Sequence, residues 1–292
     1  MEKYDAIVIG KGPAGVQGAI YLKRAGMNVL VLAKGDGEIR KAVDVENYFG
    51  VLSMTGEDFI EMSHQQLSKF EIPVYEEEVF SLSYDGEGYQ VETSEGSYHA
   101  LTVLLATGAK RNLPRIRNLR KYEGKGVSYC AVCDGFFFKD KKLALIGAGD
   151  YAVSELEELL EHTDDITVLT NGEMITGDFP EHVEVISERI DRVFGEEQIE
   201  GLLFKDGREM LVDGVFVAIG SASSVDLAQK LGAEISTNKV VVNESRATNL
   251  PGLYAAGDCV PGPQQIAKAV GDACVASMAM IDEIRQKKRR KR

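Results

Sequence analysis

The sequence predicts an α/β fold that contains two doubly wound parallel sheets. Two apolar runs, residues 4–9 and 142–146, are typical of strands that are buried on both faces. Each run is followed at once by a glycine-rich turn, a helical stretch and a second apolar run, which is how a doubly wound sheet begins. Glycine contributes 30 of the 292 residues. This is roughly 10%, against an average of about 7%, and favours many tight turns between strands and helices.

The predicted elements of the first unit follow in chain order. The strand of residues 4–9 leads through the turn Gly10-Lys11-Gly12-Pro13-Ala14-Gly15 into a helix that extends to about Gly26, and residues 28–33 form the next strand. Residues 74–106 alternate in polarity and contain turn signals at Asp85-Gly86 and Glu95-Gly96. This pattern predicts an antiparallel meander.

The second unit repeats the scheme. Its strand of residues 142–146 is followed by a glycine turn at 147–152, a helix to about His162 and a strand at 166–170. Further along, strands are predicted at 215–219, at 239–242 and from residue 253, and a final helix at 264–286.

Composition excludes several classes of protein. No apolar run approaches the roughly 18 residues of a membrane span, and the first residues lack the apolar stretch of a signal peptide. Four cysteines in a chain of this length do not form a disulfide scaffold, so a reducing cytoplasm is the expected compartment. The formal net charge of −13 argues against nucleic acid as a partner.

The charges are unevenly distributed along the chain. Residues 110–125, here called the basic segment, hold seven Lys or Arg against one Glu, and the last eight residues hold seven more cations. Residues 143–188 contain twelve acids and no Lys or Arg. Such opposed fields steer charged partners. The basic terminus has two readings, a disordered solubilising tail or a docking element.

The first glycine turn has the spacing of a dinucleotide-binding fingerprint. In Gly10-x-Gly12-x-x-Gly15, the glycines permit a tight turn and close backbone approach, and the free N–H groups at the helix start face a pyrophosphate. The strand before it and the helix after it favour this reading over an ordinary glycine turn. Both units are therefore expected to be Rossmann-like.

A CxxC pair, Cys130-Ala131-Val132-Cys133, lies inside the chain and is followed by Asp134. Two thiols at this spacing can close a redox-active disulfide. Half of a zinc site is the alternative, but Cys259, Cys274 and the four scattered histidines offer no second ligand pair. No metal is therefore expected.

Several motifs together resemble those of the low-molecular-weight thioredoxin reductases, which are FAD enzymes that reduce disulfides. They are the fingerprint at Gly10–Gly15, Val45-Glu46-Asn47, Ala106-Thr107-Gly108-Ala109, Ser128-Tyr129-Cys130-Ala131-Val132-Cys133-Asp134-Gly135 and Leu253-Tyr254-Ala255-Ala256-Gly257-Asp258. The resemblance covers nearly the whole chain. It implies a discontinuous FAD-binding domain of residues 1–112 and 246–292, with a smaller domain of residues 113–245 inserted between them that carries the CxxC pair. It also implies a homodimer and thioredoxin as the disulfide substrate.

The resemblance also assigns roles to individual residues. Cys133 is expected to lie against the flavin, Cys130 to attack the partner's disulfide, and Asp134 to donate and accept protons. The family's Gly-Gly-Gln-Leu stretch is replaced by Asp36-Gly37-Glu38-Ile39. The expected cofactor-binding residues are Gly10, Gly12, Pro13, Ala14, Gly15, Lys34, Glu38, Asn47, Val79, Thr107, Gly108, Gly257, Asp258, Gln265 and Ile266.

One departure from the family concerns the electron donor. Relatives that use NADPH carry a His-Arg-Arg cluster and a further arginine for the 2′-phosphate, whereas residues 170–179 here contain two acids and no cation. Loss of two charged hydrogen bonds costs roughly 3–6 kcal/mol. NADPH is therefore a poor candidate, and some family members accept electrons from ferredoxin instead. Ferredoxin, an acidic protein, is the expected donor. The basic segment has two readings, a docking site for ferredoxin or an ordinary solvated loop.

Three alternatives stay open at this stage. Glu173 follows the second strand of the inserted unit and suits the free 2′-hydroxyl of NADH, so NADH is a second candidate donor. Some relatives that lack nicotinamide sites are dithiol oxidases that pass electrons to oxygen. A non-catalytic, FAD-binding redox sensor is the third alternative, and the intact CxxC pair beside Asp134 argues against it.

Overall fold

The computed structural model describes residues 2–108 and 113–290. The chain forms two compact units, unit 1 of Met1–Arg111 and Ser223–Arg292 and unit 2 of Asn112–Ala222. The predicted domain boundaries, after residues 112 and 245, differ from this division at the second position and stay a prediction. Residues 109–112 include the start of the basic segment and lie outside the described residues, as do 291–292.

The secondary structure of the described residues alternates between strands and helices. The helices are α1 (Pro13–Arg24), α2 (Gly56–Lys69), α3 (Ala131–Asp134), α4 (Asp150–Leu160), α5 (Ser224–Lys230) and α6 (Ile266–Arg290). The strands are β1 (Glu2–Ile9), β2 (Val29–Leu32), β3 (Val74–Tyr75), β4 (Val79–Tyr84), β5 (Tyr89–Thr93), β6 (Ser97–Leu105), β7 (Val127–Ser128), β8 (Leu143–Ile146), β9 (Ile166–Leu169), β10 (Glu184–Ile186), β11 (Ile190–Phe194), β12 (Gly201–Phe204), β13 (Glu209–Leu211), β14 (Gly214–Val217), β15 (Ile235–Ser236), β16 (Lys239–Val240) and β17 (Leu253–Ala255).

Unit 1 is built on a seven-stranded sheet in the order β3-β2-β1-β6-β5-β4, with β17 paired to β6. The pairs β1–β2, β1–β6 and β6–β17 are parallel. Helices α1 and α6 pack on this sheet and bury Leu22, Ala273, Met280 and Ile284 completely against Leu104. The predicted parallel α/β fold is confirmed in this unit.

The predicted meander is wrong at its first residues. Val74 and Tyr75 pair in parallel with β2, and only β4, β5 and β6 run antiparallel to their sequence neighbours. The reason is α2, which the sequence analysis did not predict. A parallel pair needs a long crossover connection, and α2 supplies the crossover between β2 and β3.

Unit 2 contains a five-stranded parallel sheet in the order β10-β9-β8-β14-β7 and a three-stranded antiparallel sheet, β11-β12-β13. The two sheets share one apolar core, to which Ile146, Val193, Leu202 and Val217 contribute. The parallel sheet is the predicted one, and the antiparallel sheet was not predicted. In the parallel sheet, β7 ends two residues before Cys130, so the sheet fixes the position of the backbone that leads into the CxxC pair.

The basic end of the chain is helical through Arg290, which corrects the expectation of a disordered tail. Lys287 Nζ donates to the carbonyl of Leu101 at 2.9 Å, and Lys288 Nζ pairs with Asp5 at 2.7 Å. Cations are favourable at a helix C-terminus because they oppose its partial negative charge. No helix among the described residues is long and apolar enough to cross a membrane.

Candidate functional site

The CxxC pair forms a disulfide at the start of α3. Cys130 is the residue that caps this helix, and its Cα lies 5.3 Å from the Cα of Cys133. Cys130 is 1% exposed, whereas Cys133 is partly exposed. The sequence-predicted disulfide is therefore present, and its two sulfurs differ in their access to solvent.

Asp134, the last residue of α3, is held by a neighbouring hydroxyl. Ser128 Oγ lies 2.6 Å from Asp134 Oδ2. The same hydroxyl accepts the N–H of Cys130 at 3.1 Å. The carboxyl group expected to move protons is thus tied to the backbone of the first cysteine.

A buried carboxylate lies behind the disulfide and was missed by the sequence analysis. Glu155 is 2% exposed, and its Oε2 accepts the N–H of Ala131 at 2.8 Å. Ala131 directly follows Cys130, so the contact joins α4 to the first turn of the disulfide helix. Buried backbone N–H groups need a partner, and Glu155 supplies it here.

The sequence contained a signal for Glu155. The residue stands among the acids of α4 and was counted only as one of the twelve acids of residues 143–188. However, Tyr151, Glu155 and Leu159 recur every four residues, and all three are buried. A charged residue on the apolar stripe of a helix is a candidate for a specific buried role.

The fingerprint turn of unit 1 is shaped for a diphosphate. Gly10 has φ +106°, and a Cβ on it would lie 2.4 Å from the carbonyl oxygen of Ala106. A Cβ on Gly15 would lie 1.8 Å from Gly10 O. Gly12 is the N-cap of α1, and a Cβ on it would meet no atom within 4 Å. Pro13 is the first helical residue, and no side chain caps the helix start. The N–H groups of this turn therefore face an open site.

Other predicted cofactor residues of unit 1 meet in pairs. Asn47 Nδ2 donates to Gln265 Oε1 at 3.1 Å, although the two are 218 residues apart. Thr107 bonds Ser224 through both backbone and side chain, with 2.8 Å between the hydroxyl oxygens. Gly108 has φ +85°. The turn after β6 is thus anchored to the start of α5.

Three further predicted residues lie around the end of β2 and the start of β4. Lys34 pairs with the buried Glu78. Val79 is 5% exposed and is the first residue of β4. Glu38 is exposed and bonds Lys41 at 3.0 Å. Whether these three contact the cofactor stays a prediction.

The turn at Gly257 and Asp258 approaches the fingerprint. A Cβ on Gly257 would lie 3.0 Å from the Cβ of Ala14. Asp272 on α6 accepts the N–H of Gly257 at 3.2 Å and is 3% exposed. Burial raises the pKa of Asp258 above its ordinary value. The sequence analysis missed Asp272, which its position among the small apolar residues of α6 could have revealed. Ile266 begins α6.

The substitution of the Gly-Gly-Gln-Leu stretch has a structural explanation. Asp36 contacts Lys11, a buried cation inside the fingerprint, at 3.0 Å, and Arg40 at 2.9 Å. Lys11 also pairs with Glu76. Burial opposes ionisation of Asp36, but the hydrogen bond and charge of Lys11 outweigh it and lower the pKa of Asp36. The loop after β2 is thereby fastened to the fingerprint by charge.

The second glycine turn, in unit 2, is covered by its own chain. The N–H groups of Thr176 and Gly177 donate to the carbonyl of Ala148 at 2.8 and 3.0 Å. A Cβ on Gly177 would lie 2.8 Å from the backbone of Gly149, which caps α4. Backbone of residues 176 and 177 therefore lies directly against the start of α4.

A cation distant in sequence reaches the segment 170–179. Nε of Arg189 lies 2.8 Å from the position of a Cβ on Gly172. Glu173, the residue considered for NADH, is exposed in the turn after β9, and its N–H donates to Thr170 O at 3.0 Å. The sequence analysis counted no cation within this segment and could not have found Arg189, because tertiary folding brings it there.

The model of the pyridine nucleotide-disulphide oxidoreductase family matches residues 4–273. The chain belongs to this family. It is an enzyme, a flavin-dependent disulfide oxidoreductase that uses FAD. The open turn at Gly12, with its uncapped helix start, fits the FAD pyrophosphate, and Gly10 and Gly15 would hold the backbone close around it.

Known proteins match this chain over nearly its whole length. A thioredoxin reductase of Aquifex aeolicus is 31% identical over 98% of this chain and 95% of its own. The crystal structure of the atypical thioredoxin reductase TRi from Desulfovibrio vulgaris Hildenborough matches with TM-score 0.89 and 35% identity, over 96% of this chain and 98% of that one. A ferredoxin-flavin thioredoxin reductase from Clostridium acetobutylicum matches with TM-score 0.73 and 29% identity, over 98% and 99%.

The contact of Glu155 with Ala131 predicts a stability difference. Glu155→Ala leaves a buried N–H without its acceptor, and this costs about 1–3 kcal/mol. Glu155→Gln keeps an oxygen acceptor and is expected to be closer to the parent. The measurement is urea unfolding of the oxidised protein, with Glu158→Ala, an exposed position on the same helix, as the control. A Glu155→Ala protein as stable as the control would contradict the prediction.

The Lys11–Asp36 contact predicts a pH-dependent effect on stability. Asp36→Asn removes a charged hydrogen bond worth about 1.5–3 kcal/mol, and is expected to lower Tm and weaken FAD retention. Because the pKa of Asp36 is lowered in the folded state, the stabilisation is present above the ordinary value of 3.8 and is lost as pH falls through the lower folded value.

Thermal unfolding from pH 3 to 8 measures this difference, with the exposed Glu61→Gln as the control. The Asp36→Asn deficit is expected to be constant from pH 5 to 8 and to shrink at the acidic end. A deficit that grows as pH falls would refute the assignment.

Proposed function

We propose that this enzyme is a thioredoxin reductase in which electrons pass from ferredoxin through FAD to the Cys130–Cys133 disulfide and then to the disulfide of thioredoxin. The observation that supports reductase activity is the CxxC disulfide at the start of α3, with Asp134 at the end of the same helix. The relative from Aquifex aeolicus is named a thioredoxin reductase, which supports thioredoxin as the substrate.

An apolar surface beside the disulfide supports a protein substrate. Val132, Phe136 and Phe137 are 48%, 72% and 68% exposed, and all lie within four residues of Cys133. Large exposed apolar side chains that are adjacent in sequence mark interaction surfaces. A disulfide-bearing protein such as thioredoxin can dock on them through its own apolar surface.

The cysteine roles follow from the family resemblance. Cys130 attacks the thioredoxin disulfide, and Cys133 resolves the mixed disulfide. Because Cys130 is 1% exposed in the oxidised state, this attack requires a change of conformation that exposes it. When bound, FAD accepts single electrons and supplies a pair to the disulfide. The residues proposed to hold it are the cofactor-binding set of unit 1 given above.

The donor proposal is carried by the covered turn of unit 2. Gly177 lies against Gly149, so a nicotinamide dinucleotide would have to displace residues 170–179 before its diphosphate reached α4. Arg115, Arg120 and Lys125 of the basic segment are exposed and give an acidic electron carrier a complementary surface. The similar structure from Clostridium acetobutylicum is of a ferredoxin-flavin thioredoxin reductase.

The proposed transfer is downhill. A plant-type ferredoxin lies near −400 mV and thioredoxin near −270 mV. For two electrons, the difference of about 130 mV corresponds to roughly 6 kcal/mol. Homodimer formation and a cytoplasmic location belong to the same proposal and rest on the family resemblance and on the cysteine usage.

The donor is tested by anaerobic titration of the oxidised enzyme with reduced ferredoxin, NADH and NADPH, following the flavin absorption band. We expect ferredoxin alone to bleach the flavin at a useful rate. Rapid bleaching by NADH would replace the donor with NADH, and rapid bleaching by NADPH would overturn the argument from residues 170–179.

The disulfide is tested by cysteine substitution. Cys130→Ser and Cys133→Ser are each expected to abolish reduction of thioredoxin, because neither variant can cycle between dithiol and disulfide. Cys274→Ser, at a free and partly buried cysteine, is the matched control and is expected to keep full activity. Oxygen consumption with a small dithiol, without turnover of thioredoxin, would instead indicate a dithiol oxidase.

A further inference from the structure

We propose that Ser128 is a positioning residue that holds the carboxyl group of Asp134 in place next to the backbone of Cys130. The inference rests on the proposed function, because it deepens the role of Asp134 in disulfide exchange. Ser128 lies at the end of β7, two residues before Cys130. It pairs in parallel register with Phe216 of β14 and is 5% exposed. The sheet therefore fixes its position.

The hydrogen bonds of Ser128 determine where its proton points. A hydroxyl has one proton to donate and two lone pairs to accept with. Ser128 Oγ accepts the N–H of Cys130 at 3.1 Å. Two acceptors compete for its proton, Asp134 Oδ2 at 2.6 Å and Cys130 O at 3.4 Å. The contact with Asp134 is the shorter of the two, so the hydroxyl donates its proton to Asp134.

The arrangement links the base to the attacking cysteine. One serine oxygen bonds both the backbone N–H of Cys130 and the carboxylate of Asp134. Because α3 is only four residues long, it has little helical hydrogen bonding of its own to hold Asp134. The serine supplies a cross-link from the rigid end of β7 to the end of this short helix.

The chemical step balances as a thiol–disulfide exchange. In the reduced enzyme, Asp134 takes the S–H proton of Cys130, and the Cys130 thiolate attacks the partner's disulfide. The partner's S–S bond breaks and a mixed disulfide forms. Cys133 then attacks the Cys130 sulfur, re-forms the enzyme disulfide and releases the partner. The two protons from Cys130 and Cys133 end on the partner's two sulfurs, one of them returned by Asp134. The enzyme dithiol is oxidised by two electrons, and the partner is reduced by two.

The test is the rate of the dithiol reaction in Ser128→Ala and Ser128→Thr, with Ser128→Ala also made in the Asp134→Asn background. Holoenzyme is reduced with dithionite, freed of excess reductant and mixed with an aromatic disulfide that releases a coloured thiol. This reaction needs neither ferredoxin nor thioredoxin, so its failure is distinct from failure of the proposed function. Ser154→Ala on α4 is the matched control.

We expect Ser128→Ala to lower the rate about tenfold, because the carboxyl group of Asp134 then loses the hydrogen bond that holds it. Ser128→Thr keeps the hydroxyl and is expected to restore the rate. In the Asp134→Asn background, Ser128→Ala is expected to have little further effect. A loss that is equally large in the Asp134→Asn background would reduce Ser128 to a structural role, and an unchanged rate would refute the proposal.

Discussion

A strand and the helix that follows it can approach as closely as they do in this enzyme only where no Cβ intervenes. A Cβ on Gly15 of α1 would lie 1.8 Å from the carbonyl oxygen of Gly10, and a Cβ on Gly147 would lie 2.5 Å from the Cβ of Ala152 in α4. Both units depend on this approach, because it seats α1 and α4 on their sheets. The glycine turn is thus first a packing device, and ligand binding depends on what covers the turn.

The glycine turns of the two units differ in what lies over them. In unit 1, Gly12 faces open space and no side chain caps the start of α1, so the N–H groups of the turn are available to FAD. In unit 2, the chain folds back so that Gly177 contacts Gly149. There the closely packed helix has a different use, since Glu155 of α4 reaches the N–H of Ala131 beside the disulfide. The same motif leaves an open helix start in one unit and supports the redox disulfide in the other.

The sequence was sufficient for the parallel sheets, the fingerprint and the disulfide, since each is encoded in a short stretch such as Gly10–Gly15 or Cys130–Cys133. The sequence was insufficient where the role of a residue depends on a tertiary contact. Nothing local indicates that Gly177 meets Gly149 or that Arg189 packs on Gly172. Glu155 is intermediate, because it was counted only as one of many acids, while its helical register with Tyr151 and Leu159 is that of a buried residue. Likewise, the short β3 was assigned to the meander because its pairing with β2 depends on α2.

The central proposal is that the chain binds one dinucleotide, in unit 1, and that Thr176 and Gly177 cover the glycine turn of unit 2. Calorimetric titration of the purified, FAD-loaded enzyme with NADH and with NADPH tests it most directly, with the flavin content measured in the same sample. The account predicts one FAD per chain and no heat of binding from either nucleotide at millimolar concentration. Saturable binding of one further dinucleotide per chain would contradict it.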